Sequence, residues 1–142
     1  MSEPYNTLVK AFSSHGDVDF EVFRPIISYL ERMSLEEGFV LWKQDDPSDG
    51  LYIIESGVLR ASYEFADHTQ SIEESMVPGT LAGELSALSD LPRNATTVVE
   101  RPAVLWKLSI DNLRRLQAEE PLLAAIFMQL VLKGSLSLIV GR

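Results

Sequence analysis

The chain has 142 residues, 46% apolar and 23% charged, enough for one domain with a real core and too few for two. Its formal net charge of −9 repels polyanions and argues against nucleic acid as a partner. It has no cysteine, which rules out a disulfide framework and thiolate chemistry and fits a reducing compartment.

Residues 1–18 are polar, with a short helix expected over residues 7–12 and a break at Ser13-Ser14-His15-Gly16. The opening MSEPYNTLVK lacks the basic-then-apolar pattern of a secretion signal, so a cytoplasmic location is expected. Asp19 is placed as an N-cap, followed by Phe20, Phe23, Ile26, Ile27 and Leu30 at spacings of three and four. That spacing predicts an amphipathic helix packed on a sheet and bent by Pro25.

From Met33 the period changes to short β-favouring runs at 39–42, 51–54, 58–65, 71–77, 81–82, 95–99 and 104–108. Turn residues at Gly38, 45–50, Ser56-Gly57, 66–69 and Pro78-Gly79 separate them, which implies an antiparallel roll or sandwich. Gly38, Gly50 and Gly57 read as hairpin turns, and Trp42, Tyr52, Tyr63, Phe65 and Trp106 as core. The pairs Glu36-Glu37 and Glu73-Glu74, with Glu55, read as solvated charge. After Ser109 as N-cap, residues 110–120 read as a helix with Leu113 and Leu116 inward and Arg114-Arg115 solvated. Pro121 starts another, at a position that needs no N–H. Residues 122–140 are long and apolar enough to suggest a membrane span, but Lys133 and Gly134-Ser135 interrupt them. A helix covering the roll, with apolar surface left for a partner or a second copy, is the preferred reading.

The chemistry concentrates in residues 78–99, PGTLAGELSALSDLPRNATTVV. A glycine followed by a helical turn leaves several backbone N–H groups pointing one way, a ready anion site. Arg93, ten residues beyond Gly83, can return there and grip an anion with two parallel hydrogen bonds. Glu84 can only accept, which suits a hydroxyl on the same ligand. A phosphate and a sugar hydroxyl together suggest a nucleotide.

Gly83-Glu84-Leu85 and Pro92-Arg93-Asn94-Ala95-Thr96 resemble the phosphate-binding cassette of cyclic nucleotide-binding domains. Residues 35–60, LEEGFVLWKQDDPSDGLYIIESGVLR, resemble the first half of the same family, with Asp45 where a glycine is common. Aspartate tolerates the positive φ such a turn needs. The resemblance implies a mainly β fold with flanking α. This is an antiparallel eight-stranded jelly roll (double-stranded β-helix) with N-terminal helices, a short phosphate-binding helix and C-terminal helices. The whole chain would be one domain: a helical part over 1–32, the β-roll over 33–109, and hinge and lid helices over 110–142. Glu84 would take the ribose 2′-hydroxyl and Arg93 the cyclic phosphate. Backbone N–H groups over Leu85, Ser86 and Ala87, with Ala95, would complete the cradle. Asn94 would lie near the purine edge, where its acceptor and donors favour cGMP at least as well as cAMP. Ala82 and Asn94 depart from the usual cassette.

No cofactor is implied beyond cAMP or cGMP as ligand. His15 and His68 are too few and too far apart for a metal cluster, and G-x-S-x-G, H-E-x-x-H and Walker patterns do not occur, so no enzyme is expected. The sequon Asn94-Ala95-Thr96 reads as unmodified without a secretion signal. No helix-turn-helix precedes the end at Arg142, which makes the DNA-binding relatives a poor match. Two functions stay open. One is a sensor that binds a cyclic nucleotide at Glu84 and Arg93 and relays it through the C-terminal helices. The other is a ligand-free assembly module in which an Arg93–Glu84 salt bridge is structural. DGLYIIESGVLRA, GTLAGELSALS and RNATTVVER also resemble the C-terminal domain of some fungal sulfate-permease family transporters. That implies transporter domains as partners and a place at the cytosolic side of a membrane.

Overall fold

The computed structural model describes Asn6, residues 20–67 and residues 71–140. The expected helix over 7–12, the break at 13–16, the Asp19 cap and both histidines lie outside the described residues, as do the side chains of Phe20, Phe23 and residues 134–140.

Phe20–Tyr29 is helical, as the apolar spacing predicts, but it is a 3₁₀ helix throughout. Pro25 supplies the reason: it has no N–H to donate, and its ring clashes with the carbonyl four residues back, so the α-helical ladder cannot form across it. Ile26 and Tyr29 are buried all the same.

Six strands follow among the described residues: β1 (Glu31–Leu35), β2 (Val40–Trp42), β3 (Gly50–Glu64), β4 (Ser71–Met76), β5 (Leu81–Ala82) and β6 (Thr96–Ser109). All pairings are antiparallel, in the order β1-β6-β3-β4, with β2 also on β6 and β5 on β3. The expected count of eight differs for a physical reason. The runs at 51–54 and 58–65 are one strand, and those at 95–99 and 104–108 are another, because β3 and β6 stay paired from Gly50↔Ser109 to Ser62↔Thr96. Their register shifts between Ile54 and Leu59 instead of breaking. Gly57 permits this: its φ is +85°, and a Cβ there would stand 2.4 Å from the Pro102 carbonyl oxygen. β1 went unread because its exposed Glu31 and Arg32 give no apolar alternation.

Helices α1 (Glu84–Ser89), α2 (Ile110–Glu119) and α3 (Pro121–Val140) flank the sheet. Ser109 caps α2, its Oγ accepting from the Asn112 N–H at 3.0 Å, and Leu113 and Leu116 are buried as expected. Among the described residues no helix is long and apolar enough to cross a membrane.

Residues 51–54 are buried on both faces of β3. Leu51 and Ile53 face a core under the helices with Ile26, Leu108, Leu116 and Phe127. Tyr52 and Ile54 face a second core inside the roll, with Trp42, Leu59, Val99 and Leu105. Each strand residue therefore serves one of two layers, by the period of two that strands impose.

Candidate functional site: a cavity around Arg93

Arg93 is among the most buried side chains of the protein, at 2% exposure. Its main chain is clamped to the turn after β2: the Asp45 N–H donates to the Arg93 carbonyl at 2.7 Å, and the Arg93 N–H to the Asp46 carbonyl at 2.8 Å. Asp45 holds that turn at φ 75°, the conformation expected of it. The side chain is held as firmly. Nη1 donates to the Gly83 carbonyl at 2.9 Å and to Ser86 Oγ at 3.0 Å. Nη2 donates to Asp49 Oδ1 at 2.8 Å and to the Gly50 carbonyl at 2.7 Å. The guanidinium carbon lies 3.8 Å from the centre of the Trp42 ring, a cation–π stack. Nε alone is buried without a hydrogen-bond partner among the described residues.

Gly83 makes this packing possible. It sits at φ +74° immediately before α1, and a Cβ there would meet Arg93 Nη1 at 2.1 Å. Asp49 completes the arrangement: its other oxygen accepts from Lys107 Nζ at 3.0 Å, and both its oxygens accept from the Tyr52 hydroxyl. Burial alone would raise the Asp49 carboxyl, but the hydrogen bonds from Lys107 and Arg93 outweigh it and hold the group below its ordinary value. Tyr52 is pushed well up, by burial first and then by the Asp49 charge.

A cavity of about 380 Å³ opens beside this network. Gly83, Glu84, Leu85, Ser86, Arg93, Asn94 and Ala95 all line it, so the two halves of the sequence motif meet at one place. Glu84 is itself buried. Ala87 does not line the cavity, in contrast to the expectation. Its N–H closes the first helical bond to the Gly83 carbonyl at 3.2 Å, and its methyl packs in the core under the helices. A carboxylate that pairs with Arg93 is Asp49, at 2.8 Å, a partner the sequence did not suggest.

Other readings change with the structure. Asp49 and Trp42 belong to the site, although the sequence reading put Asp49 in a turn and Trp42 in a generic core. A carboxylate directly before a strand-opening glycine was the available signal. Glu73 and Glu74 are both exposed, as expected, and Glu74 also lines the cavity. Glu55 accepts from Trp106 Nε1 at 2.7 Å, and its side chain is only 15% exposed. Tyr63 and Phe65, expected in the core, are 41% and 38% exposed and meet edge to face, with Tyr63 on the cavity wall.

Residues 32–120 match the family model described as the cyclic nucleotide-binding domain. The chain belongs to that family. As a cyclic nucleotide-binding domain it is 31% identical over 118 residues to a cAMP-dependent protein kinase regulatory subunit of Yarrowia lipolytica, covering 81% of this chain and 30% of that protein. It is 35% identical over 82 residues to the acetyltransferase Pat of Mycolicibacterium smegmatis, covering 58% and 24%. The chain thus spans a third or less of the length of these curated relatives. Among solved structures, a cyclic nucleotide-binding domain from Methylobacillus flagellatus KT superposes with a TM-score of 0.81 at 24% identity, over 99% of this chain and 78% of that one, which establishes the shared fold. The regulatory domain of Toxoplasma gondii PKA, solved with cAMP, matches at a TM-score of 0.67 and 25% identity, over 80% and 42%. The mainly antiparallel roll with flanking helices is the fold of this domain family.

Proposed function

We propose that the cavity binds a cyclic nucleotide, cAMP or cGMP, and that the domain is a non-catalytic sensor. The observation that carries this is the buried Arg93, whose Nε–H has no acceptor among the described residues and which lines a cavity that a second buried polar residue, Glu84, also lines. A cyclic phosphate supplies the missing acceptor and a charge to match the guanidinium. Glu84 accepts from the ribose 2′-hydroxyl, and the N–H groups of Leu85, Ser86 and Ala95 complete the phosphate cradle.

The relay follows from what α1 touches. Glu84 and Leu85 line the cavity on one side and, with Leu88 and Ser89, an apolar groove against Met128, Gln129 and Leu132 of α3 on the other. A ligand that draws α1 toward the phosphate changes the surface on which α3 packs. Asp49 offers a second link, since its carbonyl accepts from the Ile110 N–H at 3.1 Å, at the start of α2. We place the sensor in a larger protein facing the cytosol. The transporter host rests on the sulfate-permease-like segments and on apolar side chains left exposed on α3, Leu122 at 75% and Leu132 at 51%.

One observation favours the ligand-free alternative: all four Nη hydrogens of Arg93 are already taken by protein acceptors. Calorimetric titration with cAMP and cGMP separates the two. Saturable heat supports the sensor, and none at millimolar ligand supports the assembly module.

A further inference from the structure

The turn after β2 holds two walls of the cavity at once. On one side the Asp45 N–H and the Asp46 carbonyl pair with the main chain of Arg93. On the other, Gln44 reaches across to the end of β3. Its Oε1 accepts from the Glu64 N–H at 2.8 Å, and its Nε2 donates to the Glu64 carbonyl at 3.0 Å. A primary amide that exchanges both bonds with the main chain of one residue copies what a facing residue does in an antiparallel ladder. The main chain of Gln44 is fixed too, its N–H donating to Thr96 Oγ1 at 2.9 Å. Thr96 opens β6 directly after Asn94 and Ala95 of the cassette.

The ladder between β3 and β6 ends at Ser62↔Thr96, two residues short of Glu64. Gln44 supplies the rung that follows. Glu64 ends β3 and pairs with Ser71, while its neighbour Tyr63 pairs with Ile72. Tyr63 and Ile72 form a lip of the cavity, 41% and 58% exposed. We propose that Gln44 is a positioning residue of the site: its side-chain amide ties the Tyr63–Ile72 lip to the turn that grips Arg93 and so prolongs the residence of the ligand. This rests on the reading of the cavity as a cyclic-nucleotide site. A lip already held in place need not be ordered when the ligand arrives, which removes a cost of binding. The amide is specific to this task. A carboxylate of the same length keeps the acceptor for the Glu64 N–H but sets a second acceptor against the Glu64 carbonyl.

The test uses whichever of cAMP and cGMP binds wild type more tightly. Affinity and dissociation rate are measured on wild type, Gln44→Ala, Gln44→Glu, Tyr63→Ala and the double variant Gln44→Ala/Tyr63→Ala, each checked for folding by thermal melting. Gln44→Ala should weaken binding by about threefold to tenfold, expressed as faster dissociation, and Gln44→Glu should do no better. The Glu64 amide proton should exchange faster with solvent in Gln44→Ala. With Tyr63 already truncated, the further change Gln44→Ala should cost less than about twofold, because the lip it holds has lost its side chain. Wild-type affinity in Gln44→Ala or in Gln44→Glu overturns the proposal and leaves the nucleotide site standing. A Gln44→Ala loss of the same size with and without Tyr63 does so too, because the effect then does not pass through the lip. Failure of both nucleotides to bind wild type overturns the site and the proposal together.

Discussion

Gly83 and Arg93, ten residues apart in sequence, touch: the Gly83 carbonyl accepts from Arg93 Nη1 at 2.9 Å, and a Cβ on Gly83 would stand 2.1 Å from that same nitrogen. The glycine is required twice, once by this approach and once by its φ of +74°. Gly83→Ala should therefore destabilise the fold by about 1–2 kcal/mol from the left-handed backbone alone. It should also displace the guanidinium and remove nucleotide binding even where the domain remains folded. Chemical denaturation and titration check the two effects separately. An alanine variant with wild-type stability and affinity would refute the contact.

Asp49 predicts a pH dependence with a definite sign. Its folded-state carboxyl is held below the ordinary aspartate value of about 3.9, so the folded state binds fewer protons than the unfolded state in that range. The stability it contributes is fully present above about pH 3.9 and is lost as the pH falls through the lower, folded value. Melting temperatures between about pH 5 and about pH 3 should fall less steeply in Asp49→Asn than in wild type. Equal slopes would show that the network with Arg93 and Lys107 does not set the acid response.

The same substitution weakens the hold on Arg93. A hydrogen bond to a charged group contributes about 1.5–3 kcal/mol, and the half-exposed Asp49 side chain places this one toward the lower end, because water replaces it in part. Asp49→Asn should therefore lower the urea midpoint at neutral pH without changing the slope. An unchanged midpoint would mean that the other acceptors of Arg93 suffice.

Glu84 is tested through the ligand. A carboxylate that accepts from a ribose hydroxyl gains nothing from a 2′-deoxy analogue, so the deoxy cyclic nucleotide should bind wild type more weakly. Glu84→Gln should shrink that difference, since an amide oxygen is the poorer acceptor. Equal affinities for the ribo and deoxy forms in wild type would remove Glu84 from the ligand.

The cassette was legible in the sequence because its parts are local. Gly83, Glu84 and Arg93 lie within one helix and loop, and the geometry of a glycine before a helical turn carries over directly. The turn at Asp45 and the Ser109 cap were legible for the same reason. The partner of Arg93 was not, because Asp49 lies 44 residues away and its segment, DDPSDG, carries every mark of a simple turn. Trp42 alternated with polar neighbours as any core residue would, and nothing local distinguishes a ring packed on leucine from one packed on a guanidinium. Which of Glu73 and Glu74 borders the cavity was not legible either, because it is set by the register with Ala61 and Thr97, distant in sequence. The runs on either side of Gly57 read as two strands because a glycine that permits a register shift looks in sequence like one that turns a hairpin.

The most direct measurement is an isothermal titration of the folded protein with cGMP and with cAMP, repeated on Arg93→Ala below the melting temperature of that variant. The account predicts saturable one-to-one binding of at least one of them. It also predicts an affinity loss of about tenfold to a hundredfold in the variant, the worth of one charge-assisted contact of about 1.5–3 kcal/mol. No heat from either nucleotide, or the same affinity with and without the arginine, would contradict it.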